Sequence, residues 1–82
     1  MKQYIATFHT HFAAMSTYRA MQKAGVEADL CPVPRALSAD CGTCVRYRAQ
    51  DECRGMLHQD FDRVVIAGDG GEYEGVLTND AP

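Results

Sequence analysis

The sequence predicts an α+β domain of the ferredoxin-like kind: a βαββαβ sandwich whose antiparallel sheet carries two helices on one face, with an extra C-terminal edge strand. Three observations lead there. Short segments of two-residue alternation are interleaved with stretches of helical three- and four-residue spacing. Proline and glycine punctuation falls between them, at Ala24-Gly25, Cys31-Pro32-Val33-Pro34 and Gly68-Asp69-Gly70-Gly71. The chain has 82 residues, 46% of them hydrophobic, which is one domain's worth. Elements this short bury their apolar faces only by laying both helices on one side of a sheet. A single domain over residues 1–82 is expected, with 78–82 as a flexible tail.

The elements follow in order. From Lys2 to Phe8, Tyr4, Ala6 and Phe8 share one face and Ile5 and Thr7 the other, and the aromatic and β-branched mixture favours a central strand. Thr10 can cap a helix by accepting a bond from an orphaned backbone N–H. Ala14, Met15, Tyr18 and Met21 give that helix its stripe, and Ala24-Gly25 stops it. Val26, Ala28 and Leu30 alternate with Glu27, Asp29 and Cys31, a strand with one buried face. Two prolines end it, because neither can donate to a ladder. Arg35 to Thr43 reads as a loop with one helical turn near Arg35 to Ser38, and Cys44 to Arg48 alternates again as a third strand. Asp51 can cap a short second helix with Cys53, Met56 and Leu57 on one side, followed by an apolar strand at Val64 to Ala67. Gly68 to Gly71 is then a hairpin turn into an edge strand at Glu72 to Leu77.

Charge and patterning exclude several classes. With 8 Lys and Arg against 11 Asp and Glu, the net charge is −3, which removes the positive field that nucleic-acid binders rely on. No stretch supplies the roughly 20 mostly apolar residues of a membrane span. The N-terminal apolar stretch is too short and too polar for a signal-peptide core, so the chain is expected in the cytoplasm with reduced thiols. In a reducing compartment its 4 cysteines point to metal ligation, redox work or nucleophilic chemistry instead of structural disulfides.

Cys41-Gly42-Thr43-Cys44 is the densest signal. Two thiols at C-x-x-C spacing can approach within disulfide distance or share a metal, with glycine supplying the tight backbone. Unlike a thioredoxin-type pair, which opens a helix, this one runs into a strand; the plain alternative is small residues closing a turn. In Cys31-Pro32-Val33-Pro34 the prolines hold a cysteine at a strand end, with Arg35 near enough to favour a thiolate. Parity places Cys31 with Glu27 and Asp29, where it can equally be an edge-packing residue. Cys53 shares helical spacing with Met56 and Leu57 and reads as a buried structural thiol. Convergence of all four, in the order C-x9-C-x2-C-x8-C, would hold zinc or an iron–sulfur cluster.

His9 and His11 flank Thr10 and are read as solvated or capping, not as ligands, and His58 as a complement to the second helix's dipole. Gly68 to Gly71 lacks the Lys-Ser/Thr and helix of a phosphate loop. Arg46 and Arg48 form a basic strand face, open to an anionic partner or simply solvated.

Taken together, Tyr4 to Phe8, the Thr10-His11 helix entry, Ala24-Gly25, Pro32-Val33-Pro34-Arg35 and Cys41-Gly42 before Val45-Arg46-Tyr47 resemble the small domain family described as putative selenium/sulfur carrier protein-like. The resemblance runs from about Lys2 to Tyr73. Its pattern has a P-V-P-R segment, a serine-rich loop and a C-G pair before a strand, so Cys41 and Gly42 are the residues that carry over. Cys31 and Cys44 are additions to that pattern, and Cys31 makes the segment read C-P-x-P, similar to the motif of TusA-type sulfur carriers, which place it at a helix start.

A loop crowded with thiols on a domain too small for a deep cleft, together with that resemblance, points to a small thiol carrier or accessory protein ahead of a stand-alone enzyme. Cys41 or Cys31 would accept sulfur or selenium as a persulfide or selenopersulfide, and Cys44 would release the cargo by attacking the adduct. Partners would be donor and acceptor proteins, with no bound cofactor. A metal-binding module on Cys41, Cys44 and Cys31 or a histidine, and a plain interaction domain, are the rival expectations. An exposed edge strand also offers a homodimer contact.

Overall fold

The computed structural model describes residues 1–37 and 41–79. The first alternating segment forms β1, Lys2–Phe8, and its parity divides the core. Tyr4, Ala6 and Phe8 enter a large apolar cluster on one face of the sheet, while Ile5 enters a smaller one on the other. Helix α1 spans His11–Lys23. Thr10 is its N-cap, Oγ1 accepting from the Ala13 N–H at 3.1 Å, and Gly25 follows the C-cap Ala24 with φ +80°, a left-handed exit that glycine takes without a Cβ clash. Ala13, Ala14, Thr17 and Met21 are its buried stripe.

Losing the cap bond leaves an N–H of the first turn without its acceptor. Thr10→Ala is therefore expected to cost about 1 kcal/mol, a fall in midpoint of roughly 4–8 °C for a domain this small, whereas Thr10→Ser keeps the oxygen and the midpoint. Thermal unfolding followed by circular dichroism checks both.

Strands β2 (Glu27–Pro32), β3 (Thr43–Ala49), β4 (Phe61–Ala67) and β5 (Tyr73–Thr78) complete a five-stranded sheet in the order β2-β3-β1-β4-β5. Every neighbouring pair is antiparallel. The β1-to-β2 connection carries α1 and steps over β3, and the β3-to-β4 connection steps over β1. Pro32 closes β2, which an edge strand tolerates because one side of its backbone needs no partner.

The chain is thus α+β with an antiparallel sheet, as expected, but the described residues form one α-helix where two were expected. The expected second helix is a single 3-10 turn, Arg54–Met56. Asp51 does not act as a helix cap: its Oδ1 accepts from the Cys53 N–H two residues on, at 2.8 Å, an Asx turn that competes with helix initiation. Cys53 then stands in the left-handed region at φ 54°, and Leu57 is already extended. The apolar face survives without the helix. Cys53, Met56 and Leu57 still pack on the main core, and the His58 N–H donates to the buried Thr17 Oγ1 at 2.9 Å, docking the segment on α1. With no second helix there is no dipole for His58 to complement. Its Nδ1 accepts from the Asp60 N–H at 3.1 Å, and its ring meets Phe12 edge-on with centroids 5.7 Å apart.

β4 begins three residues earlier than the apolar run suggests, because the β1–β4 register shifts between Thr7 and Phe8. The buried Thr7 hydroxyl donates to Asp62 Oδ2 at 3.1 Å there, which admits a charged residue to the strand. The β4–β5 hairpin turns through Gly68–Gly71 as expected, with Gly68 N–H donating to Glu72 O at 2.9 Å. β5 runs to Thr78, and Asn79 is tied down by bonds to Asp62, Gln59 and Phe61 carbonyls. Residues 80–82 of the expected tail lie outside the described residues.

Candidate functional site

The connection from β2 to β3 is closed at its base by Val33 N–H donating to Gly42 O at 3.1 Å. Gly42 sits at φ +72°, and a Cβ built there would meet nothing within 4 Å; the backbone conformation, not crowding, calls for glycine. Leu37 N–H donates to Pro34 O at 2.9 Å, which supplies the single turn expected after Pro34; Ser38 and Asp40 lie outside the described residues. Leu37 folds onto the sheet face opposite α1 and joins Ile5, Cys44 and Val65 in the smaller cluster.

Cys41 is half-buried on this connection. Its S–H donates to Thr43 O at 3.1 Å and its sulfur accepts from the Thr43 N–H at 3.4 Å. The side chain packs on the helix-side cluster. Thr43 Oγ1 lies 3.4 Å from Nδ1 of His11 in the first turn of α1, so the helix entry and the thiol-bearing turn meet at one end of the sheet.

Cys44 goes the other way. Inside β3 its direction is set by strand alternation: Val45 and Tyr47 face α1, and Cys44 faces the opposite side, fully buried. The two thiols of the C-x-x-C therefore belong to different faces of the sheet. The partner of Cys44 is Cys31, its register neighbour on β2, with the sulfurs 3.4 Å apart and both thiols free. Cys44 also donates toward Pro32 O at 3.6 Å. Burial first, then the Cys31 thiol, pushes the Cys44 thiol up to about 12, with Arg46 pulling weakly the other way. Cys53, expected to be buried, is half-buried, and its thiol is also held above the ordinary range, by burial and then by Asp51. A raised pKa makes each a poorer nucleophile near neutral pH.

On that same face, Cys31–Cys44 continues a row of facing pairs along β2 and β3. Arg46 lies 4.0 Å from Asp29 and Arg48 lies 4.0 Å from Glu27. The arginine face is thus already matched by acidic neighbours, in exposed pairs of small energetic weight. His9 and His11 diverge, His9 Nε2 lying 3.9 Å from Asp62 Oδ1 and His11 beside Thr43. Among the described residues, no three His, Cys, Asp or Glu side chains gather as a metal would require. Nor is any helix among them long and apolar enough to cross a membrane.

The sequence reading paired Cys44 with Cys41 and missed Cys31–Cys44. The signal that could have found it was parity, which sets Cys31 and Cys44 on strand faces; what the sequence does not display is the β2–β3 register across a long connection. The contact of His11 with Thr43 left no sequence signal.

The structure is thus a small antiparallel α+β domain with half-buried thiols at Cys31 and Cys41 and a wholly buried one at Cys44, across the ladder from Cys31. The chain is a member of the family described as putative Se/S carrier protein-like, whose model matches residues 3–59. That span takes in β1, α1, β2, β3 and all four cysteines. A curated relative, the uncharacterized protein YtiA of Escherichia coli, is 33% identical over 45 residues, covering 55% of this chain and 53% of YtiA. The chain thus spans about half the length of that relative. No solved structure matches.

Proposed function

We propose that this chain is a small sulfur or selenium carrier working through Cys41. The observation that carries the reading is the setting of Cys41: the cysteine of the C-G pair, half-buried on an open glycine turn, with its sulfur held between the N–H and C=O of Thr43. Membership of the carrier-like family supports it. The Cys41 thiolate attacks the terminal sulfur of a donor's persulfide; the donor's S–S bond breaks, its thiolate leaves, and Cys41 holds the new persulfide. An acceptor nucleophile then attacks that terminal sulfur and Cys41 departs as thiolate. No net oxidant or reductant is needed, and a selenopersulfide follows the same course. Gly42 supplies the left-handed backbone of the turn that carries Cys41, and the His11–Thr43 contact holds that turn beside α1. The release step first expected of Cys44 is assigned instead to the acceptor, since Cys44 faces away from Cys41. A compartment that keeps thiols reduced, such as the cytoplasm, suits this chemistry.

Incubation with a cysteine desulfurase and cysteine, followed by thiol trapping and peptide mass spectrometry, tests the reading. One added sulfur on Cys41 is expected, lost in Cys41→Ser and kept in the Cys31→Ser/Cys44→Ser double variant. No added sulfur on Cys31, Cys41 or Cys44 would end the carrier reading, and loading on Cys31 alone would move the site.

A further inference from the structure

Cys31 and Cys44, the two cysteines that do not belong to the C-G pattern, face each other directly across β2 and β3. Directly opposed residues on antiparallel strands have Cα atoms about 4.5–5.5 Å apart, inside the roughly 4.4–6.8 Å range a disulfide spans. Their sulfurs are already 3.4 Å apart, so side-chain rotation, without strand movement, suffices to bring them to bonding distance. Cys31 is half-buried on the edge strand, and Cys44 lies wholly beneath it and beside Leu37. One thiol is reachable and the other is positioned behind it, the arrangement of an attacking and a resolving cysteine. With no third ligand gathered around them among the described residues, the pair is arranged for bonding to itself and not for holding a metal.

We propose that Cys31 and Cys44 form a dithiol–disulfide site that exchanges with low-molecular-weight disulfides, separate from Cys41. The Cys31 thiolate attacks one sulfur of a disulfide RSSR; that S–S bond breaks, RS⁻ leaves, and Cys31 carries a mixed disulfide. Cys44 gives up its proton, attacks the Cys31 sulfur and expels the second RS⁻. The two protein thiols are oxidised by two electrons in total, RSSR is reduced to two RSH, and the two protons released by the protein balance the two thiolates. The high pKa of Cys44 agrees with this order, since the buried thiol is the poorer first nucleophile. The site goes beyond the carrier reading and does not use Cys41, so either can fail alone.

The test uses the full chain as Cys41→Ser/Cys53→Ser, incubated with oxidised glutathione, alkylated and digested with trypsin. Cleavage after Lys23, Arg35 and Arg46 puts Cys31 and Cys44 on separate peptides. A crosslinked pair of those peptides, short of two hydrogens and free of retained glutathione, is the expected product. Adding Cys44→Ser, or Cys44→Ala if serine unfolds the chain, should trap glutathione on Cys31. Adding Cys31→Ser should leave Cys44 reacting at least about tenfold more slowly than Cys31 does, because the Cys44 sulfur is wholly buried, out of the reagent's reach, and burial still works against its thiolate. Glutathione adducts that never close, or a Cys41–Cys44 bond as the product in the wild-type chain, would overturn the proposal.

Discussion

Phe8→Ala is expected to remove about 3–5 kcal/mol of stability, a large share of the roughly 4–12 kcal/mol that a domain of this length holds. Phe8 is 0% exposed at the end of central strand β1 and lies in the main cluster with Val45, Phe61 and Val64. It stands opposite Phe61 at the β1–β4 register shift. The midpoint should fall on the order of 20 °C, since each kcal/mol moves a domain of this size by roughly 4–8 °C. Phe12 supplies the contrast within one chain. It is 71% exposed on the first turn of α1, its ring edge-on to His58, so Phe12→Ala should stay within about 0.5 kcal/mol. Urea unfolding of the two variants in parallel measures the difference, and equal losses would contradict the assignment of the core.

The same parity that separates these two phenylalanines made most of the fold legible. Tyr4, Ala6 and Phe8 share a face because a strand alternates, and the order of strands and α1 follows from where alternation gives way to helical spacing. The second helix was not legible as a failure. Its apolar spacing is genuine, and Cys53, Met56 and Leu57 do pack together, but an Asx turn at Asp51 and a left-handed Cys53 hold the chain to one 3-10 turn. Local hydrogen bonding defeated a pattern that burial alone would have allowed.

The site was half legible for a similar reason. Cys41 and Gly42 announce a turn because the glycine must take a positive φ, and the structure holds it at +72°. A C-x-x-C spacing, by contrast, implies proximity only when both cysteines belong to one turn. Here Cys44 has already entered β3, and a strand residue answers to its neighbour across the ladder, which is Cys31. Sequence distance ranked Cys41 as the partner; register ranked Cys31. The result is two thiol sites from three cysteines: an open one beside His11 and Thr43, and a closed pair on the opposite face beneath Leu37.

The closed pair carries a pH signature of its own. In the reduced protein, stability is expected to fall as pH rises above about 9 and to keep falling toward about 12, because Cys44 holds its proton in the fold to about 12 against 9.0 for an ordinary thiol. Below pH 9 the thiol is neutral folded or unfolded, and its contribution is fully present. Between the two values the unfolded chain releases a proton that the folded chain keeps, so the unfolded state binds fewer protons and the slope of unfolding free energy against pH is negative. One such proton is worth about 1.4 kcal/mol per pH unit. Tyr47 and Tyr4, also raised chiefly by burial, add slopes of the same sign from their ordinary value of 10.0 upward, and Cys53 adds a smaller one. Cys44→Ala separates the terms: it should flatten much of the decline between about pH 9 and pH 10, before the tyrosines of the unfolded chain titrate, and make the limb above pH 10 shallower without abolishing it, since the tyrosines still titrate there. Urea midpoints across that interval in the presence of reductant read it directly. An unchanged slope in Cys44→Ala would mean that this sulfur is not the buried, protonated partner of Cys31, and with it would go the reason for Cys31 to attack first.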